Sequence, residues 1–164
     1  TYPTGEFSSD VYASRLIHYL ESEKEKEKPF FAYLAFTAPH WPLQASEGMI
    51  ARHEGKYDMG PSALKRTRLD GMRREGLLRE NVSDVPETGT YWADLTDDQR
   101  RLESRYMEIY AAMVESIDVN TARVIDYLRD RGDLENTIIF FMSDNGAEGI
   151  DRNALVQRTG SSSP

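Results

Sequence analysis

The stretch that most constrains this chain is Thr137 to Gly146, Thr-Ile-Ile-Phe-Phe-Met-Ser-Asp-Asn-Gly. A short apolar run rich in isoleucine and phenylalanine, closed by Asp-Asn-Gly, predicts a strand buried on both faces, as in the parallel sheet of an α/β fold. In open α/β sheets the ligand crevice lies beyond the carboxyl ends of the strands, so Asp144 and Asn145 stand where chemistry is done. A carboxylate oxygen beside an amide oxygen suits a hard cation, calcium or magnesium. The same residues suit a tight turn, for which Asn-Gly is a strong signal, and taken alone the stretch favours that turn.

A second apolar run, Phe30 to Phe36, passes directly into Thr37-Ala-Pro-His-Trp-Pro-Leu-Gln44. Prolines on either side of His40 and Trp41 exclude regular structure there, and His40, like Asp144, follows a predicted buried strand. Helical spacing supplies the rest of the frame. Ser8, Ser9 or Asp10 caps a helix with apolar residues Tyr12, Leu16, Ile17 and Leu20; it runs out into the alternating charges of Glu21 to Lys28, a solvated end, and stops at Pro29. Pro61 opens a short surface helix whose basic residues, from Lys65 to Arg79, read as a solvated face. Thr96-Asp-Asp-Gln99 is a capping box at the start of the longest helix. Its predicted apolar stripe is Leu102, Tyr106, Ile109, Tyr110, Met113, Ile117, Val124 and Leu128, and Gly132 ends it. Followed by the strand at Thr137, this helix reads as the close of a right-handed crossover, long enough to cross the sheet.

The 164 residues suffice for one domain or a piece of one, and a net charge of −8 argues against general binding to nucleic acid or anionic membrane. The absence of cysteine removes disulfides, thiolate metal sites and a cysteine nucleophile. No apolar run approaches a membrane span and no signal segment is visible; the compartment stays open. The chain starts at Thr1 rather than methionine and reads as an internal segment. Asn81-Val-Ser83 matches a glycosylation sequon, which matters only for a secreted protein, and residues 150–164 read as a disordered or non-family tail.

Four stretches in order carry a resemblance: Pro29 to Gln44, Gly55-Lys-Tyr-Asp-Met-Gly-Pro61, Tyr110-Ala-Ala-Met-Val-Glu-Ser-Ile-Asp118, and Phe141-Met-Ser-Asp-Asn-Gly-Ala-Glu-Gly149. Together they resemble part of a type I sulfatase, closest to the bacterial and fungal arylsulfatases, over residues 1–149. The resemblance reverses the preference for a plain turn at Asp144 and Asn145. It implies an alkaline-phosphatase-like α/β/α sandwich with mainly parallel strands and a long helix crossing the sheet. It further implies hydrolysis of small sulfate monoesters, a formylglycine nucleophile, and a divalent metal, usually calcium. By position, Asp144 and Asn145 resemble two of the four metal ligands of that family, and His40 resembles the histidine that contacts sulfate and helps protonate the leaving oxygen.

The departures are specific. The Cys/Ser-x-Pro-x-Arg motif of the nucleophile, the paired aspartates of the first strand, the Lys-x-His stretch and a later lysine are all missing from this chain. The segment alone is therefore expected to be inactive. A phosphodiesterase or phosphonate hydrolase of the same superfamily, and a non-catalytic remnant, are the competing readings. They differ from the first at residues outside this chain.

Overall fold

The computed structural model describes residues 5–22, 28–79, 81–82 and 92–146. The charge run at 23–27, the serine of the sequon and the tail at 150–164 lie outside the described residues. The chain divides into two compact units, Thr1–Leu134 and Glu135–Pro164, each described by itself.

The first unit is helical. Helix α1 spans Ser8–Ser22, α2 Glu47–Ala51, α3 Gly60–Arg74 and α4 Asp97–Asp130, with a 3-10 turn at Trp92–Asp94 before α4. Both ends of α4 follow from local chemistry. The Thr96 hydroxyl accepts the Gln99 N–H at 3.3 Å, the Gln99 side chain accepts the Thr96 N–H at 2.8 Å, and Asp97 and Asp98 face the positive end of the helix dipole. At the far end Gly132, at φ 82°, lets the chain reverse so that its N–H reaches the Arg129 carbonyl and the Asp133 N–H that of Leu128. Helix α3 ends in the same way at Gly76, with Leu77 bonded back to Met72.

Helices α1 and α2 both pack on α4. The buried row of α4 is Ser104, Glu108, Ala112, Ser116 and Asn120, one residue every four, with Met113 and Leu128 beside it. Of the apolar stripe read from the sequence only Met113 and Leu128 are buried, while Leu102 is exposed. Small residues in that row let α1 approach closely through Ser9 and Ala13, and Val11 and Leu20 complete its buried face, in place of the expected Tyr12, Leu16 and Ile17. The joint is keyed by polar groups. Asn120 Nδ2 donates to Asp10 Oδ1 at 2.7 Å and to the Ser116 carbonyl at 2.9 Å, and Arg123 donates to Asn120 Oδ1 at 2.7 Å and to Ser14 Oγ at 2.8 Å.

The expected sheet is not seen. Among the described residues there is no β-strand, and both Phe30–Phe36 and Thr137–Met142 run without a ladder. Their side chains are open to solvent, Phe31 at 94% and Phe140 at 80%. The physical reason is that a strand satisfies its N–H and C=O groups on neighbouring strands, and among the described residues neither run has one within its own unit.

Candidate functional site

The segment from Thr37 to Ser46 links α1, α2 and α4, and it carries His40. The His40 N–H closes a turn on the Thr37 carbonyl at 3.0 Å, and the Thr37 hydroxyl meets Ser8 Oγ, at the start of α1, at 2.9 Å. The Ala38–Pro39 and Trp41–Pro42 peptide bonds are cis. Trp41 stands edge-on to the Tyr106 ring of α4, centroids 6.2 Å apart, and the Gln44 N–H points at Met113 Sδ at 3.4 Å. Ser46 then caps α2 by accepting the Met49 N–H. The absence of regular structure expected from the two prolines is what the segment shows.

His40 itself is exposed, and its Nδ1 lies 2.6 Å from the Trp41 carbonyl. A carbonyl only accepts, so Nδ1 carries a hydrogen and the ring's exchangeable nitrogen is Nε2. A histidine so oriented can hand a proton outward from Nε2 while Nδ1 stays bonded to the chain.

Beyond α2 the chain coils through turns held by carboxylates of α4. Arg52 donates to Glu115 Oε1 at 2.5 Å, and His53 Nε2 lies 2.8 Å from Glu115 Oε2. The Gly55 N–H donates to Glu108 Oε1 at 2.8 Å, and Arg105 donates to the other oxygen of that carboxylate at 2.9 Å. Hydrogen bonds from Arg52, then from His53, hold the Glu115 carboxyl below the ordinary carboxylate range.

In the second unit, Asp144 and Asn145 sit in an exposed local turn. The Asn145 N–H donates to Asp144 Oδ1 at 3.0 Å, the Asn145 amide donates to the Gly146 carbonyl at 2.9 Å, and Ser143 donates to the Asn145 carbonyl at 2.5 Å. The second Asp144 oxygen and the Asn145 amide oxygen take part in none of these bonds. They offer a cation two oxygens and one negative charge, and among the described residues no group of three or more His, Asp or Glu side chains gathers around one point. That is a partial donor set for a hard cation, which takes six or more oxygens.

The sulfatase family model matches residues 1–163. The chain belongs to the sulfatase family. It is 48% identical over 146 residues to an uncharacterised sulfatase of Schizosaccharomyces pombe, covering 87% of this chain and 26% of that protein. It is 34% identical over 147 residues to an arylsulfatase of Klebsiella aerogenes, covering 88% of this chain and 31% of that enzyme. A multifunctional alkaline phosphatase superfamily protein of Trinickia caryophylli is 29% identical over 155 residues, covering 92% of this chain and 29% of that protein. The sulfatase chain thus spans about a quarter to a third of the length of the curated relatives it matches. Membership implies an α/β fold of the alkaline-phosphatase type, of which the described residues display the helical part. No helix among them is long and apolar enough to cross a membrane.

Glu108 and Glu115 were not among the residues singled out as chemical in the sequence. Their partners lie 53 and 62 residues away, beyond any local spacing rule. Their separation of seven, which places both on one face of a helix, was the available signal.

Proposed function

We propose that this chain carries part of the catalytic domain of a sulfuric ester hydrolase of the arylsulfatase kind, and that the segment by itself does not turn over substrate. Membership of the family over residues 1–163 is the observation that carries this reading. The named activity of the Klebsiella relative supports an aryl sulfate as the first substrate to try.

In this reading His40 is the leaving-group acid. With Nδ1 bonded to the Trp41 carbonyl, the imidazolium releases its Nε2 proton to the ester oxygen as the S–O bond breaks, so that an alcohol or phenol departs instead of its anion. Asp144 and Asn145 are assigned as two ligands of a divalent cation, calcium or magnesium. When bound, such a cation offsets the negative charge of the sulfate group. The Cys/Ser-x-Pro-x-Arg motif of a formylglycine nucleophile does not occur in this sequence. The alternative, phosphodiester or phosphonate hydrolysis within the same superfamily, is kept because one relative is named a multifunctional alkaline phosphatase superfamily protein.

The test uses the full-length protein and a series of aryl and alkyl sulfates. Substitution His40→Ala is expected to lower turnover by about 10²–10⁴-fold for esters with poor leaving groups, the usual range for general acid catalysis, and by less for activated aryl esters. Equal losses across the series would restrict His40 to binding. Turnover of phosphodiesters in preference to every sulfate ester would replace the sulfatase reading.

A further inference from the structure

Five contacts tie the stretch that follows His40 to a single helix. Trp41 meets Tyr106, Gln44 meets Met113, Arg52 and His53 share Glu115, and Gly55 is held by Glu108. All the receiving residues lie on α4. Tyr106 and Met113 are seven apart, as are Glu108 and Glu115, so each pair repeats after two turns along one side of the helix. Segment 41–55 is therefore laid along α4, its aromatic end gripped by apolar side chains and its later turns by two carboxylates.

These carboxylates are not exposed decoration. The Glu108 side chain is 7% exposed, and its second oxygen is satisfied by Arg105, leaving the first for a backbone N–H of the segment. Gly55, at φ 73°, occupies a left-handed conformation that glycine adopts readily, and this presents its N–H to Glu108. Glu115 holds a guanidinium and an imidazole from adjacent residues, so α2 cannot slide or rotate on α4 without breaking both bonds. The chain between these anchors and His40, residues 41–51, contains Pro42 and the Ser46-capped helix α2, so displacement of the anchors is passed on to the imidazole.

We infer that Glu108 and Glu115 are positioning residues, which hold segment 41–55 on α4 and thereby set the placement of His40. The inference rests on the role given to His40 above. It also makes a claim independent of that role, that the two carboxylates order the segment.

Both parts are tested in the full-length protein with Glu115→Ala, Glu108→Ala and the milder Glu115→Gln, which keeps the shape and one acceptor. Hydrogen exchange is expected to rise across residues 41–55 in the alanine variants, with a smaller rise in Glu115→Gln. Turnover of a poor-leaving-group ester is expected to fall by about tenfold to a hundredfold at little change in KM, the scale of loss from a displacement of about 1 Å. In a His40→Ala background the same substitutions are expected to cost almost nothing further, since the group they place is gone. Unchanged exchange in 41–55, or losses that simply add to that of His40→Ala, would overturn the positioning role. A His40→Ala protein as active as the parent would instead remove the role of His40, while the exchange result still decides whether the carboxylates order the segment.

Discussion

Asn120 has the largest fully buried side chain among the described residues, and both its amide N–H groups and its amide oxygen are bonded within the joint between α1 and α4. Substitution Asn120→Ala leaves Asp10 and Arg123 without their shared partner, and a loss of about 1–3 kcal/mol is expected, read from urea unfolding. A change within error would mean that water takes the place of the amide at no cost. Glu115 permits a test through pH. Its carboxyl is held below the ordinary glutamate value of 4.5, so its contribution to stability is fully present above pH 4.5 and disappears as pH falls through the lowered folded value. The stability difference between the parent and Glu115→Gln is accordingly expected to be largest near neutrality and to shrink below pH 4.5. A difference that stays constant from neutrality to pH 3 would show that the bonds from Arg52 and His53 contribute nothing through charge.

At the scale of elements, what was legible in the sequence was what is decided locally. The capping box at Thr96 and the stop at Gly132 depend on groups within a few residues, and α4 begins and ends where they direct. The same holds for α3, opened by Pro61, and for the irregular segment around His40. The buried face of α4 was misread because burial is decided by the neighbour. Helix α1 meets Asn120, and a row of small and polar residues carries no hydrophobic signal. The two predicted strands are not seen for a related reason, since a ladder is a property of a pair. A further element-level constraint lies at the start of α3. A Cβ on Gly60 would stand 2.8 Å from the Trp92 indole, at a φ of 80°, and Trp92 is fixed from behind by Arg100 bonded to its carbonyl. Gly60→Ala is therefore expected to cost about 1–3 kcal/mol, the scale of a strained backbone, and to alter tryptophan fluorescence. An unchanged melting temperature would show that the indole moves aside freely.

At the scale of the whole molecule, the proposed proton donor and the two proposed metal ligands lie within a span that is 26% and 31% of the length of two of its relatives. The purified segment is expected to bind calcium no tighter than the weak sites of ~10⁻⁴–10⁻³ M and to leave aryl sulfates intact. Calorimetric titration and a chromogenic sulfate assay check both, and micromolar binding or measurable turnover would mean that other residues of this chain complete the site. The open side chains of Phe31, Tyr33, Ile138 and Phe140 point the same way, being apolar surface that a folded enzyme covers. The link from Asp10 to Asn120 has a consequence in time as well as in space. Its two ends are 110 residues apart, and a ribosome adding about 5–20 residues per second delivers the second end about 5–20 s after the first. Throughout that interval Val11, Ala13 and Leu20 of α1 wait without the surface that will bury them, open to a nascent-chain chaperone until α4 has emerged.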